Sequence, residues 1–281
     1  MSKSQNKISR RLVVKSAAFG LLAASVPNIS FASYWNDDDQ ITSKLYKEYP
    51  AINPDVVSEV VGVSHFNLDR LKELVDVRPE LAKATWDWGF GDWESAIGAA
   101  THVGRRDIVF YLLSKGARPT LFTFAMLGDL KTVKSMLDLS PEMLKITGPH
   151  GISLMQHAEI GLFAKDADKE RSEALVEYLK TLDLPEEKYL DMTDSEKQLY
   201  LGDYKFGPGE NDGFSVKLNM RKLLSLGRIG KFGGALYKSG ENEFAYNGTP
   251  SIKIIFEQKE SEIKALTIQE PELTLRAEKV T

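Results

Sequence analysis

The chain has 281 residues, of which 42% are hydrophobic and 27% charged, and its formal net charge is −4. This composition is typical of a globular protein with a buried core. The acidic balance argues against nucleic-acid binding, because contacts to phosphates need clustered lysine and arginine. The chain has no cysteine, which excludes disulfides, thiolate metal ligands, a cysteine nucleophile and a lipid-modified cysteine.

Residues 1–32 have the order of an export signal. Basic residues precede a short apolar run from Ser16 to Val26, and a small-residue pattern ending at Ala32 follows. The run is shorter than the ~20 residues that a membrane-spanning helix needs. We therefore expect cleavage between Ala32 and Ser33 and no stable membrane insertion afterwards. Cleavage would change the net charge from −4 to −9, because the segment holds five basic residues and no acid.

The stretch from Ser9 to Lys15 resembles the twin-arginine export signal. It contains the pair Arg10 and Arg11, a serine before the pair and a lysine after it. The resemblance implies export of an already folded protein across the bacterial inner membrane. It therefore predicts a periplasmic protein, and an ordinary secretory signal is the alternative.

Residues 56–184 contain two alternating kinds of helical segment. The longer ones place apolar residues at helical spacing and cover residues 66–75, 104–113, 128–137 and 172–180. Shorter apolar segments rich in small residues cover 94–104, 120–128 and 151–161. A helix pair of this kind cannot bury its apolar face alone, so the pattern predicts stacked repeats.

The segment from Gly104 to Pro119 resembles the second half of an ankyrin repeat, and Gly151-Ile152-Ser153-Leu154 resembles the start of one. The resemblance implies an α-solenoid of about four degenerate ankyrin repeats over residues 56–184, preceded by an N-terminal extension at 33–55. The usual Thr-Pro-Leu-His is intact in none of them, and their spacing drifts. Ankyrin repeats bind protein partners through finger loops and a concave helical face.

The longest connection between these segments, TWDWGFGDWES at residues 85–95, holds three of the four tryptophans. Tryptophan is enriched at binding hot spots, and the ankyrin resemblance implies a binding surface here. We assign that surface to Trp86, Asp87, Trp88, Phe90, Trp93, His102, Arg105 and Arg106. The alternative is a hydrophobic plug, because Trp86 and Trp88 share one face of an extended strand that could equally be buried. For Trp93, which leads into an alanine-rich helix, we expect core packing.

A polar linker covers residues 185–198, where Thr193 and Glu196 could cap a short helix. Over residues 199–281 the hydrophobic period changes to two, and turn signals separate about eight short segments. This pattern predicts a small antiparallel β-barrel or curved sheet, and the whole chain is therefore of the α+β class. Phe214, Leu218 and Phe256 are expected to point inward.

The C-terminal region resembles the lipocalin-like β domain that follows penicillin-binding-protein-like serine hydrolases. The matching features include Leu201-Gly202-Asp203-Tyr204 and residues 252–269. The hydrolase domain itself is missing, so the resemblance implies no activity. The inward residues would either fill the barrel or line a cavity for a small hydrophobic ligand.

No catalytic motif emerges from the chain. A Ser-x-x-Lys pattern at Ser261 lies at a predicted strand turn and lacks its companion motifs. The histidines, at positions 65, 102, 150 and 157, lack the His-x-x-x-His spacing of a metal site, and we expect structural roles for His65 and His102. We predict no catalytic residue, no metal site and no cofactor. The expected function is non-catalytic binding of an unidentified periplasmic protein through the ankyrin surface, and the alternative is a carrier of a small hydrophobic ligand.

Overall fold

The computed structural model describes residues 46–184, 189–219, 221–231 and 233–280. The chain divides into two compact units, residues 1–52 and 53–281. Residues 46–52, the described part of the first unit, form a turn. The predicted export signal, with Arg10, Arg11 and the cleavage position between Ala32 and Ser33, lies outside the described residues. Among the helices that are described, none has the length and apolar character that crossing a membrane requires.

The N-terminal part of the second unit consists of stacked helix pairs. Its α-helices are α1 (Pro54–Val63), α2 (Leu68–Val77), α3 (Ala96–His102), α4 (Arg106–Ser114), α5 (Leu121–Met126), α6 (Leu130–Leu139), α7 (Leu154–Phe163) and α8 (Lys169–Lys180). The two helices of each successive pair contact each other, and the first helices of neighbouring pairs also contact one another. The helical segments that the 3.6-residue period predicts are therefore confirmed.

Local sequence explains where these helices turn and how closely they pack. Gly104 and Gly128 each have a φ of +72°, in the left-handed region that favours glycine, and they connect the two helices of a pair. A Cβ on Gly161 of α7 would lie 2.1 Å from the carbonyl oxygen of Met126 in α5. Only glycine therefore permits these two helices to pack at their observed separation.

A two-stranded hairpin interrupts the helices between α2 and α3. Strands β1 (Thr85–Asp87) and β2 (Trp93–Ser95) pair antiparallel, with Trp86 opposite Glu94. Side chains alternate along a strand, and in β2 Glu94 takes the buried side, so that Trp93 is 62% exposed. The expectation that Trp93 packs in the core is therefore wrong. Short 3-10 helices cover Pro79–Lys83, Pro141–Lys145 and Pro149–Gly151.

The C-terminal part begins with helix α9 (Asp194–Tyr200), which starts at the predicted capping box of Thr193 and Glu196. Its strands are β3 (Gly202–Lys205), β4 (Gly213–Leu218), β5 (Leu224–Arg228), β6 (Gly234–Gly240), β7 (Glu243–Tyr246), β8 (Thr249–Lys259), β9 (Glu262–Gln269) and β10 (Thr274–Lys279). They form a closed antiparallel barrel in which consecutive strands are neighbours and β10 pairs with β3. The α+β class and the barrel are thus confirmed.

The barrel core is one contiguous cluster of buried side chains. Phe244 and Phe256 pack edge to face with ring centroids 5.3 Å apart, and both contact Tyr200. Phe214 and Phe256 lie in this core, as predicted. Leu218 is 39% exposed, so its predicted inward position is wrong, because it ends β4 where the strand leaves the core. A core filled in this way gives no support to the ligand-carrier alternative.

Candidate metal centre

Four side chains from separate elements converge between the hairpin and the helices. His65 lies in the turn after α1, Glu94 in β2, His102 at the end of α3, and His150 in the 3-10 helix Pro149–Gly151. Each offers one atom able to bind a metal, and these four atoms all lie within 4.8 Å of one another. We call this set the histidine cluster.

The distances between the donor atoms are those of neighbouring ligands on one ion. The Nε2 atoms of His65 and His102 are 3.0 Å apart. Oε1 of Glu94 lies 2.9 Å from Nε2 of His102 and 3.4 Å from Nε2 of His150, and Oε2 lies 3.4 Å from Nε2 of His65. Metal–ligand bonds of about 2.0–2.1 Å place adjacent donors roughly 3 Å apart. Four donor–donor distances in the cluster are therefore close to the spacing of neighbouring ligands, and all four donors lie within 4.8 Å of one another.

Hydrogen bonds on the far side of two rings orient them toward the centre. Nδ1 of His65 donates to the carbonyl oxygen of Gly62 at 3.0 Å, and Nδ1 of His150 donates to Oδ2 of Asp92 at 2.7 Å. In the neutral ring, a proton on Nδ1 leaves the lone pair on Nε2. Histidine ligands of metals are typically held by such outer contacts.

Glu94 is completely buried and only partly satisfied. Its Oε2 accepts a hydrogen bond from Nε1 of Trp88 at 2.8 Å. Its Oε1 lies close to His102 and His150 but is aligned with neither as a hydrogen bond. Burial alone would raise the pKa of Glu94, but the contacts with the two rings hold it below its usual range. The ionised, incompletely paired oxygen is suited to a cation.

The charges around the cluster also favour a cation. Asp92 and Glu94 are both buried, and buried carboxylates are costly unless a positive charge balances them. Burial lowers the pKa of His65. Burial acts in the same direction on His150, but its contacts with the two carboxylates outweigh it and raise its pKa to about 9. The rings can offset the two carboxylates only by holding protons, whereas one divalent ion balances both.

The backbone of His150 is held in a costly conformation. Its φ of +61° lies in the left-handed region, which non-glycine residues adopt rarely. Oδ1 of Asp92 accepts the backbone N–H of His150 at 2.9 Å and so supports this conformation. Such strain persists where the surrounding structure imposes it, and it concentrates at functional sites.

One residue of the cluster, His150, lies at the edge of a groove. A groove of about 740 Å³ between the helical part and the barrel borders His150. Its walls include Ile152 and Met155 on one side and Tyr237 and Gly248 of the barrel on the other. The side chain of His150 is 21% exposed, so this member of the cluster is accessible to solvent.

The predicted binding-surface residues have different surroundings from one another. His102 belongs to the histidine cluster, and Trp88 donates to Glu94. Phe90 packs on Tyr246 of the barrel at 4.8 Å between ring centroids. Asp87 accepts the backbone N–H groups of residues 89 and 91 and so shapes the hairpin loop.

The remaining predicted residues lie outside the cluster. Trp86 is half-buried and Trp93 is exposed. Arg105 pairs with Asp107 through two hydrogen bonds, and the guanidinium of Arg106 lies over the ring of Phe110. The structure therefore does not bring the eight predicted residues together as one exposed surface.

The sequence did not identify His65, Glu94 and His150 as parts of a site. Four distant segments supply the cluster, so no short motif such as the His-x-x-x-His spacing marks it in the sequence. One signal was present: His65 and His102 occupy equivalent places in successive helix pairs, which puts them on the same side of the stack. His157 lies apart, with Nδ1 donating to the carbonyl oxygen of Ser153 at 2.8 Å.

Comparison with known proteins identifies no family for this chain. No protein-family model matches it, and no curated protein is significantly similar to it in sequence. The kind of ion that fits therefore follows from the donors alone. Imidazole nitrogens with one carboxylate suit zinc, copper, nickel or iron, whereas magnesium and calcium take oxygen ligands.

Proposed function

We propose that this protein binds a divalent first-row transition-metal ion, with Zn²⁺ as the first candidate, through His65, Glu94, His102 and His150. The observation that carries the proposal is the convergence of three imidazole nitrogens on the buried carboxylate of Glu94. Its Oε1 lies near two of these nitrogens and has no aligned hydrogen bond among the described residues. The outer hydrogen bonds of His65 and His150 support it, since they leave Nε2 of each ring available as a ligand.

The proposed role of the ion is structural. Four protein ligands are typical of a structural zinc site, whereas catalytic zinc keeps a position for water or substrate. The ion would join the turn after α1, the hairpin, the end of α3 and the 3-10 helix that carries His150. Each of these segments is short, so a shared ion would hold them in register.

The test is a Zn²⁺ titration of the metal-stripped full chain, prepared without a histidine tag, in competition with a chromophoric chelator. We expect one ion per chain for the natural protein and for His157→Asn, which alters the histidine outside the cluster. His102→Ala and His65→Ala should each lose most of the affinity. Equal binding by all four proteins, or no binding by the natural one, would contradict the proposal.

We propose protein binding as a second, non-catalytic function, in which residues 56–184 act as a degenerate ankyrin stack after twin-arginine export to the periplasm. The stacked helix pairs support this proposal. So does the exposed ring of Trp93, since large exposed aromatic side chains are frequent anchors at interfaces. Trp93 directly precedes the ligand Glu94, so a bound ion would also fix the orientation of this tryptophan.

The second proposal is tested by capture from a periplasmic extract. The natural chain and Phe163→Ala, which removes another exposed aromatic ring, should retain the same protein partner. Trp93→Ala should lose it while giving the same circular dichroism spectrum. Retention of the same partner by all three baits would count against Trp93 as the anchor.

A further inference from the structure

The turn between strands β7 and β8 of the barrel reaches the histidine cluster. Asn247 lies in this turn and is buried, and its Nδ2 donates to Oδ2 of Asp92 at 2.9 Å. Its backbone N–H donates to the carbonyl oxygen of Ala235 in β6 at 2.9 Å, which anchors the residue to the barrel. The amide of Asn247 is therefore held in place by the barrel and contacts Asp92, the partner of His150.

Asp92 connects Asn247 to His150, a proposed metal ligand. Its Oδ2 accepts from both Asn247 and Nδ1 of His150, and its Oδ1 accepts the backbone N–H of His150. Asp92 thus holds both the ring and the backbone of His150, while Asn247 fixes the direction of the carboxylate. Outer residues of this kind orient metal-bound histidines, and their loss typically weakens metal affinity.

Two glycines permit the close approach of the barrel turn. Gly248 and Gly151 each have a φ of +69°. A Cβ on Gly248 would lie 2.9 Å from both Oδ1 of Asp92 and the backbone nitrogen of Gly151. Any other residue at 248 would push the turn away from the segment that carries His150. The close contact places Asn247 beside Asp92.

From these contacts we infer that Asn247 is a positioning residue of the proposed metal centre, acting through Asp92 on His150, so that the barrel sets the metal affinity of the helical part. The inference rests on the proposed metal binding. Linkage makes the effect reciprocal, and a bound ion should strengthen the contact between the barrel turn and Asp92 to the same degree. The barrel is then part of the proposed metal site, because its β7–β8 turn supplies Asn247.

The test compares Asn247→Ala with Asn242→Ala in the full chain without a histidine tag. Asn242 is a matched control, because it lies in the neighbouring β6–β7 turn and hydrogen-bonds to Tyr200 and Gln258 of the C-terminal part rather than to Asp92. Asn247→Ala should raise the Kd for Zn²⁺ by about 10- to 100-fold. It should also change the visible absorption of the Co²⁺-loaded protein. Asn242→Ala should destabilise the barrel but leave both readouts unchanged.

Asn247→Asp provides a second variant of nearly the same shape, in case the alanine variant does not fold. It replaces the donated N–H by an acceptor beside Asp92, so the Asp92 carboxylate loses its fixed direction, and the visible absorption of the Co²⁺-loaded protein should change as it does in Asn247→Ala. Unchanged Kd and Co²⁺ spectrum in a folded Asn247 variant, with His65→Ala still losing Zn²⁺, would overturn this inference and leave metal binding intact. Failure of the natural chain to bind Zn²⁺ would overturn both.

Discussion

The barrel core and the histidine cluster are both buried, but burial has opposite effects on their stability. It is favourable for the apolar core and costly for the charged groups at the cluster. The core consists of aromatic and aliphatic side chains such as Phe244, Phe256 and Ile254, whose burial is favourable in itself. The cluster contains the buried Glu94, and its outer partner Asp92 is also buried; the charges of both are costly unless they are compensated. The comparison indicates that the barrel can be stable without a ligand, whereas the cluster gains most from a cation.

The largest expected effect is a loss in the free energy of unfolding, and it tests the apolar core of the barrel. Phe256→Ala removes a ring that packs on Tyr200 and Phe244, and it should lower the free energy of unfolding by about 3–5 kcal/mol. Urea unfolding with and without Zn²⁺ measures it. The increase in stability caused by Zn²⁺ should be the same in this variant as in the natural chain. If that increase disappeared, the packing of the barrel core, and not only the turn that carries Asn247, would have to be counted among the determinants of zinc binding.

The next effect tests the cluster. Zn²⁺ at about 100 times its Kd should stabilise the natural chain by roughly 2.7 kcal/mol, because it binds the folded state alone. Glu94→Gln keeps the shape of Glu94 but removes its charge, and it should abolish this stabilisation. Glu59→Gln, at a partly exposed glutamate paired with Arg70, should preserve it. Thermal unfolding with and without a chelator measures the difference, and a zinc effect retained in Glu94→Gln would rule out the proposed ligand set.

A smaller effect comes from His157, a buried histidine with no carboxylate partner among the described residues. Burial lowers the pKa of His157 to about 4, from an ordinary value of 6.5. The unfolded chain therefore takes up a proton before the folded chain does, and stability is lost as the pH falls below 6.5. The loss from this one group should be about 2 kcal/mol between about pH 7 and pH 5.

The matched variant for this pH effect is His157→Asn, which cannot be protonated and keeps a side-chain N–H donor. Urea unfolding at several pH values should show a smaller loss of stability in the variant than in the natural chain. Equal pH dependence in the two proteins would mean that His157 does not take up its proton on unfolding. The expected difference between two buried histidines would then not hold. Carboxylates raise the pKa of His150, whereas burial lowers the pKa of His157.

Most of the fold could be predicted from the sequence because it depends on local patterns. The helical period located the helices, the alternation over residues 252–256 located a barrel strand, and Thr193 with Glu196 located a helix start. Such signals lie within a few residues of the feature that they specify. Trp93 shows where such local signals fail. Its neighbour Glu94 is buried beside histidines that are distant in the sequence, and Trp93 is therefore exposed.

The candidate site could not be predicted in the same way. Its four donors come from positions 65, 94, 102 and 150, and only the tertiary packing of the hairpin, the helices and the 3-10 helix brings them together. Its outer partner Asn247 comes from the barrel, 155 residues after Asp92. No local spacing encodes such contacts. The pairing of His65 with His102 was accessible in principle, because equivalent positions in stacked repeats become neighbours in space.

The smallest expected effect separates helix stability from metal binding. Gly62 lies near the end of α1, and a Cβ there would meet nothing within 4 Å. Gly62→Ala should therefore stabilise the chain by roughly 0.5–1 kcal/mol, because glycine is the poorer helix former. The carbonyl oxygen that accepts the hydrogen bond from His65 remains in the variant. The Kd for Zn²⁺ should then be unchanged while the free energy of unfolding rises. A change in the Kd would mean that the position of the end of α1 limits the geometry of the cluster, and the helix would have to be counted with the site.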